Sequence, residues 1–281
     1  YFELFFSALI TSNLFDELAT EAASKSIVLL KNENGLLPIS SDKKIALIGP
    51  LADDYDAPIG NWRAKGKESS AISLLEGLKN NCDTKNLFYA KGCNLSVGPN
   101  NFFQELSINN SDTSGFSSAI EIASNCDVVV MALGEPAFMS GEGRSRSNLD
   151  LPGIQKQLLK KIYEVNPNVV LVLMNGRPLT IEWESNNIPS ILETWHCGIM
   201  AGEAIARILF GKENPSGKLT MTFPRNVGQI PIFYNKKSTG RPSSNPGQVF
   251  YSHHTDVSNL PLYPFGHGLS YTDFTYSDLT I

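Results

Sequence analysis

Apolar residues Phe15, Leu18, Ala19, Ala22, Ala23, Ile27 and Leu30 recur at intervals of three and four, the spacing that lines one face of an α-helix. This predicts an amphipathic helix over residues 16–31, closed by the turn signal Asn34-Gly35. The next apolar run, Ile45-Ala46-Leu47-Ile48, has strand length and no polar alternation, and it stops at Gly49-Pro50. The same succession continues with helices over 71–79, 116–124, 154–165 and 201–210 and strands over 87–90, 127–133, 168–174 and 190–193. Strands apolar on both faces and separated by helices are what a parallel sheet covered on two sides demands, because each strand is buried twice. The pattern predicts an α/β fold: a doubly wound, mostly parallel sheet with helices on both faces and flavodoxin-like layering. From Asn214 the helical periodicity fades, and Pro, Gly, Ser and aromatic residues predominate through Tyr271, as in a tail that wraps the sheet or packs on a neighbour.

In such sheets ligands bind beyond the carboxyl ends of the strands, which points to the loops starting at Gly49, Gly134, Asn175 and Thr194. The loop from Gly134 to Pro152 is far longer than the usual βα connection of about 2–6 residues. It holds the carboxylates Glu135, Glu142 and Asp150 and the arginines Arg144 and Arg146, with Gly141 and Gly143 flanking Glu142 so that the backbone can present it at a tip. A carboxylic acid there can donate a proton once something closes over it and raises its pKa by desolvation. From spacing alone, a solvated polar loop is the stronger reading. Trp62, in the loop beyond the first predicted strand, is either a core residue or a platform for a sugar ring, and spacing alone favours the core. Trp183 and Trp195 read as packing residues.

Composition narrows the function classes. Hydrophobic residues make up 42% and charged residues 18% of 281 residues, the profile of a chain that folds around a real core. Lys and Arg number 23 against 28 Asp and Glu, a net charge of −5 with no basic stripe, so nucleic acid is not expected as a partner. No apolar run approaches the roughly 20 residues of a membrane span. Tyr1 to Ile10 lacks a basic region and does not read as an intact secretory signal; the chain reads as an excerpt of a longer one. Cys82, Cys93, Cys126 and Cys197 are too far apart for a redox pair or zinc knuckle and read as ordinary thiols, with Cys82 and Cys93 the only pair close enough in sequence to suggest a disulfide. His196, His253, His254 and His267 show no metal-ligand spacing, and no metal or cofactor is expected. Gly49-Pro50-Leu51-Ala52-Asp53-Asp54 lacks the glycines of a dinucleotide loop and sets acids where a pyrophosphate would sit, and Asp53 and Asp54 keep a phosphoacceptor reading only marginally alive.

The stretches Ala22-Ala23-Ser24-Lys25-Ser26-Ile27-Val28-Leu29-Leu30-Lys31-Asn32-Glu33, Ile48-Gly49-Pro50-Leu51-Ala52-Asp53, Leu173-Met174-Asn175-Gly176-Arg177-Pro178-Leu179, Asn214-Pro215-Ser216-Gly217-Lys218-Leu219, Thr239-Gly240-Arg241-Pro242 and Leu262-Tyr263-Pro264-Phe265-Gly266-His267-Gly268-Leu269-Ser270-Tyr271 resemble, in order, the second domain of family 3 glycoside hydrolases. Among them the bacterial periplasmic β-glucosidases are most similar. The resemblance implies a six-stranded α/β sandwich over 14–275, preceded by an unassigned lead-in at 1–13 and followed at 276–281 by the start of a linker toward a fibronectin-like domain. It implies exo-acting removal of terminal β-D-glucosyl units from a β-glucoside or oligosaccharide with retention of configuration, and a periplasmic or secreted full-length protein. It places the nucleophilic aspartate on a TIM-type barrel absent from this sequence, whether encoded in the same longer chain or separately. Glu142 takes the general acid/base position, Arg146 and Trp62 are expected at the substrate, and Trp62 matches an aromatic on the aglycone side.

Glu135 is expected to be structural, and a self-contained pair of Glu135 and Glu142 is disfavoured because nothing fixes their separation. Without a barrel to cover it, Glu142 is expected to be solvated and the chain alone inactive. The alternative is a non-catalytic carbohydrate-binding or scaffolding remnant of such an enzyme.

Overall fold

A computed structural model describes residues 13–237, 240–242 and 249–278. The lead-in up to residue 12, Thr239 of the Thr239-Gly240-Arg241-Pro242 stretch and the linker from residue 279 lie outside the described residues.

Helix α1 (Asn13–Ser26) ends earlier than its periodicity predicts, and the apolar run that follows is strand β1 (Val28–Asn32). β1 pairs antiparallel with β6 (Ser190–Glu193), with a register shift between Leu29 and Lys31, so Val28 to Leu30 are buried as sheet rather than as a helix face. The other strands follow the sequence pattern closely: β2 (Ile45–Ile48), β3 (Leu87–Ala90), β4 (Val128–Gly134) and β5 (Val169–Met174). They form one six-stranded sheet in the order β1-β6-β5-β4-β2-β3, parallel except for β1.

Helices α2 (Leu74–Asn81), α3 (Phe116–Ser124), α4 (Gln155–Val165), α5 (Glu182–Asn187) and α6 (Ala201–Leu209) complete the layers. Successive strand residues point to opposite faces. Leu47, Val130, Val172 and Leu192 pack with Leu74, Leu78, Ile205 and Leu209 of α2 and α6. Ile48, Met131, Leu171 and Ile191 pack with Ala119, Leu158 and Ile162 of α3 and α4. Ser73 caps α2, its hydroxyl accepting from the Glu76 amide at 3.2 Å and donating to Asp53 at 3.0 Å, which holds the loop after β2 against the helix.

The tail wraps the sheet domain. The Leu269 amide donates to the Leu29 carbonyl at 2.8 Å, His267 Nε2 donates to the Leu30 carbonyl at 2.9 Å, and Phe223 bridges to Tyr263. Trp183 and Trp195 are packing residues, edge-on to Tyr163 and tilted against Phe223 respectively. All four cysteines are free thiols, so the pairing of Cys82 with Cys93 that sequence proximity suggested is not formed. Among the described residues no helix is long and apolar enough to cross a membrane, and no group of three His, Cys, Asp or Glu side chains is placed to hold a metal ion.

Candidate active site

The carboxyl ends of β2, β4, β5 and β6 bring their loops to one edge, and the connection from β4 to α4 dominates it. Its first residue, Glu135, has 0% of its surface exposed. A carboxylate so placed needs compensation, and two guanidinium groups supply it: Arg146 Nη1 at 2.6 Å and Arg177 Nε at 3.1 Å. Arg146 Nη2 donates to the Asp150 carbonyl at 2.9 Å. Arg177 Nη2 donates to the Met139 carbonyl at 2.6 Å and to the Arg144 carbonyl at 2.8 Å. Glu135 and its arginines therefore tie the start, middle and end of one loop to the residue that follows the Asn175-Gly176 turn.

The rest of the loop is anchored as firmly. Thr180 Oγ1 donates to Asp150 at 2.5 Å, and Gln155 bonds both the amide and the carbonyl of Gly134. Ser140 accepts from Asn61 Nδ2 at its carbonyl, at 2.5 Å, and its hydroxyl lies 3.3 Å from His196 Nε2. Arg63, held by Asp56 at 2.5 Å, lies over the buried Phe138 ring at 4.7 Å.

Between these anchors the tip is open. Glu142 is exposed, flanked by Gly141 at φ 118° and Gly143 at φ 69°, and nothing among the described residues donates to its carboxylate. The loop thus carries three carboxylates in three environments: Glu135 spent on two arginines, Asp150 accepting from Thr180, and Glu142 facing solvent. The self-contained pair disfavoured above has no support here, since Glu135 is committed inward. Trp62 is 76% exposed, which excludes the core reading. Arg146 turns inward, each of its terminal nitrogens already engaged with the protein.

Sequence reasoning passed over Arg177, Asn61 and Ser140. The available signal was position, since Arg177 lies in the turn after β5 and Asn61 precedes Trp62. It also missed Glu193, fully buried at the end of β6, which accepts from Asn175 Nδ2 at 3.2 Å and from the Trp195 amide at 3.0 Å. Burial pushes its carboxyl well above the ordinary carboxylate range. It braces the turn that carries Trp195 and His196.

The family model described as "Glycosyl hydrolase family 3 C-terminal domain" matches residues 27–271. The chain is 42% identical over 280 residues to the periplasmic β-glucosidase of Salmonella typhimurium, covering 96% of this chain and 36% of that protein. It is 43% identical over 270 residues to a β-xylosidase of Formosa agariphila, covering 92% and 34%. The solved structure of the β-glucosidase from Listeria innocua in complex with gluconolactone matches with a TM-score of 0.84 at 36% identity, covering 94% of this chain and 34% of that one. The chain spans about a third of the length of these relatives.

Proposed function

The chain belongs to glycoside hydrolase family 3 as its C-terminal domain, and from that premise we propose that Glu142 is the general acid/base of a retaining, exo-acting β-glucosidase whose nucleophilic aspartate lies on a TIM-type barrel outside this sequence. The observation that carries this reading is the contrast among the loop's carboxylates: Glu142 alone is exposed and unpaired, on a tip whose base is clamped by Glu135, Arg146 and Arg177.

In the first half-reaction the aspartate attacks the anomeric carbon while Glu142 gives its proton to the glycosidic oxygen, so the C–O bond breaks and the aglycone leaves as an alcohol. In the second, the Glu142 carboxylate takes a proton from water, whose oxygen displaces the aspartate and restores the original configuration. This division of labour requires the two carboxyl groups about 5–5.5 Å apart, which makes the barrel the surface that closes over the tip. Closure also removes water from around Glu142 and the glycosidic oxygen. The chain alone lacks that cover, and we expect it to be inactive. Trp62, exposed on the loop pinned to Ser140 through its neighbour Asn61, receives the aglycone side. Arg146 serves the substrate indirectly, by fixing the loop. The names of the Salmonella and Listeria relatives support a β-glucosyl substrate, the Formosa relative being named a β-xylosidase, and the Salmonella protein's name supports a periplasmic or secreted location.

The reading is tested by Glu142→Gln in the enzyme containing the barrel. The expected loss is about 10²–10⁴-fold in kcat/KM, which reports the first half-reaction, for glycosides with poor leaving groups, and much less for dinitrophenyl glycosides, whose leaving group needs no proton. Equal losses on both substrates count against the assignment.

A further inference from the structure

Between β3 and α3 the chain forms a small hairpin that the reaction above does not use. Ser96 and Ile108 pair across it, and the Val97 amide donates to the Ser107 carbonyl at 2.7 Å. Buried Asn109 gathers its base, donating to the carbonyls of Asn94 at 3.0 Å and Asp112 at 3.1 Å. At the tip, Asn101 Oδ1 accepts from the Phe103 amide at 3.0 Å, a local side-chain turn that presents two consecutive phenyl rings. Phe102 is 52% exposed and Phe103 92%.

These rings are fastened to the loop that carries Glu142. Arg144, two positions beyond Glu142, donates from Nη2 to the Phe102 carbonyl at 2.7 Å. The Phe102 ring meets buried Phe138 edge-on at 6.4 Å and 77°, and Phe103 meets Phe102 at 5.5 Å and 87°. Arg63, next to Trp62, also lies over the Phe138 ring. A row of contacts therefore links the Trp62 segment, the base of the Glu142 loop and Phe103. A phenyl ring kept almost wholly in water by a hydrogen-bonded turn contributes little to folding, and holding it in one orientation lowers the cost of ordering it when a ligand stacks on it. Its uncharged face suits the C–H face of a pyranose.

We propose that Phe103, backed by Phe102, is a platform for a further sugar of an oligosaccharide aglycone, beyond the ring received by Trp62, and that it makes the enzyme favour β-linked oligosaccharides over disaccharides. This rests on the acid/base reading of Glu142, which is what brings the aglycone to this side of the loop.

The test compares Phe103→Ala with the parent full-length enzyme on β-linked gluco-disaccharide, -trisaccharide and -tetrasaccharide and on a small aryl β-glucoside. KM for the two longer substrates is expected to rise about five- to tenfold with kcat unchanged, while the disaccharide and aryl glucoside stay within about twofold. Phe103→Tyr, which keeps the ring, is expected to retain the parent's chain-length preference. Equal changes on all four substrates, as from a ring that packs on another part of the protein, or no change on any, overturn the proposal. Glu142→Gln assayed alongside separates the two readings. Full kcat in that variant removes the acid/base assignment, and the chain-length effect of Phe103→Ala still decides the platform.

Discussion

Arg146 donates to Glu135 at 2.6 Å across a loop whose intervening tip carries Glu142. The pair converts a long irregular connection into a structure with a fixed base and a free end. Breaking it is expected to damage the site without touching the reacting atoms.

Arg146→Met leaves Glu135 with Arg177 as its remaining cation, and is expected to cost about 2 kcal/mol of stability, the scale of hydrogen bonds to a charged group. Glu135→Ala strands two arginines and is expected to cost more, toward the roughly 3–5 kcal/mol of a broken buried pair. Arg146→Lys is expected to recover only part of the loss, because one ammonium cannot reproduce a fork that reaches both Glu135 and the Asp150 carbonyl. Urea unfolding of the chain measures all three, and equal stability of the Glu135→Ala and parent proteins contradicts the clamp.

The glycines beside Glu142 separate two effects. Gly143 has φ 69° and open space within 4 Å of where a Cβ would stand, so Gly143→Ala is expected to cost only the left-handed backbone term of about 1–2 kcal/mol. Gly141 has φ 118°, and a methyl group there would come within 2.1 Å of Asn61 Nδ2. Gly141→Ala is expected to cost more and to break the bond from Asn61 to the Ser140 carbonyl, moving Trp62 relative to Glu142. Thermal melts rank the two variants, and the reverse order contradicts the close packing of Asn61 on this loop.

Much of this was legible in the sequence, and what was not has identifiable causes. The runs Val128 to Leu133 and Val169 to Met174 read as strands because nothing polar interrupts them. The boundary between α1 and β1 did not, because Ile27 and Leu30 continue the helical spacing while β6, the strand that pairs with β1, lies far along the chain. Glu142 stood out through its flanking glycines and the length of its loop. The inward turn of Arg146 was hidden because Glu135, eleven positions earlier, reads locally as one more loop acid, and only the fold buries it. The Phe102–Phe103 hairpin lies in an Asn- and Ser-rich stretch whose composition conceals a hydrogen-bonded shape.

Burial raises the carboxyl pKa of Glu193 first of all through desolvation, and raises that of Glu184 for the same reason. An acid with a higher pKa folded than unfolded binds its proton more tightly in the native state. Its contribution to stability is therefore fully present below the unfolded value of about 4.5 and is lost as pH rises through the folded value. Glu193→Gln, which stays neutral, is expected to gain stability relative to the parent as pH increases from about 5 to 9. Urea unfolding across that range checks it, and a difference between the two proteins that does not vary with pH contradicts a buried, proton-holding Glu193.

Azide offered to Glu142→Ala in the barrel-containing enzyme tests the central assignment most directly. With the proton carrier gone, a glycosyl-enzyme formed from an activated aryl β-glucoside lacks the base that deprotonates water, and an anion that needs no deprotonation can take its place. If Glu142 is that carrier, azide accelerates turnover and the product is β-glucosyl azide. Turnover unaffected by azide, or a product of inverted configuration, contradicts it.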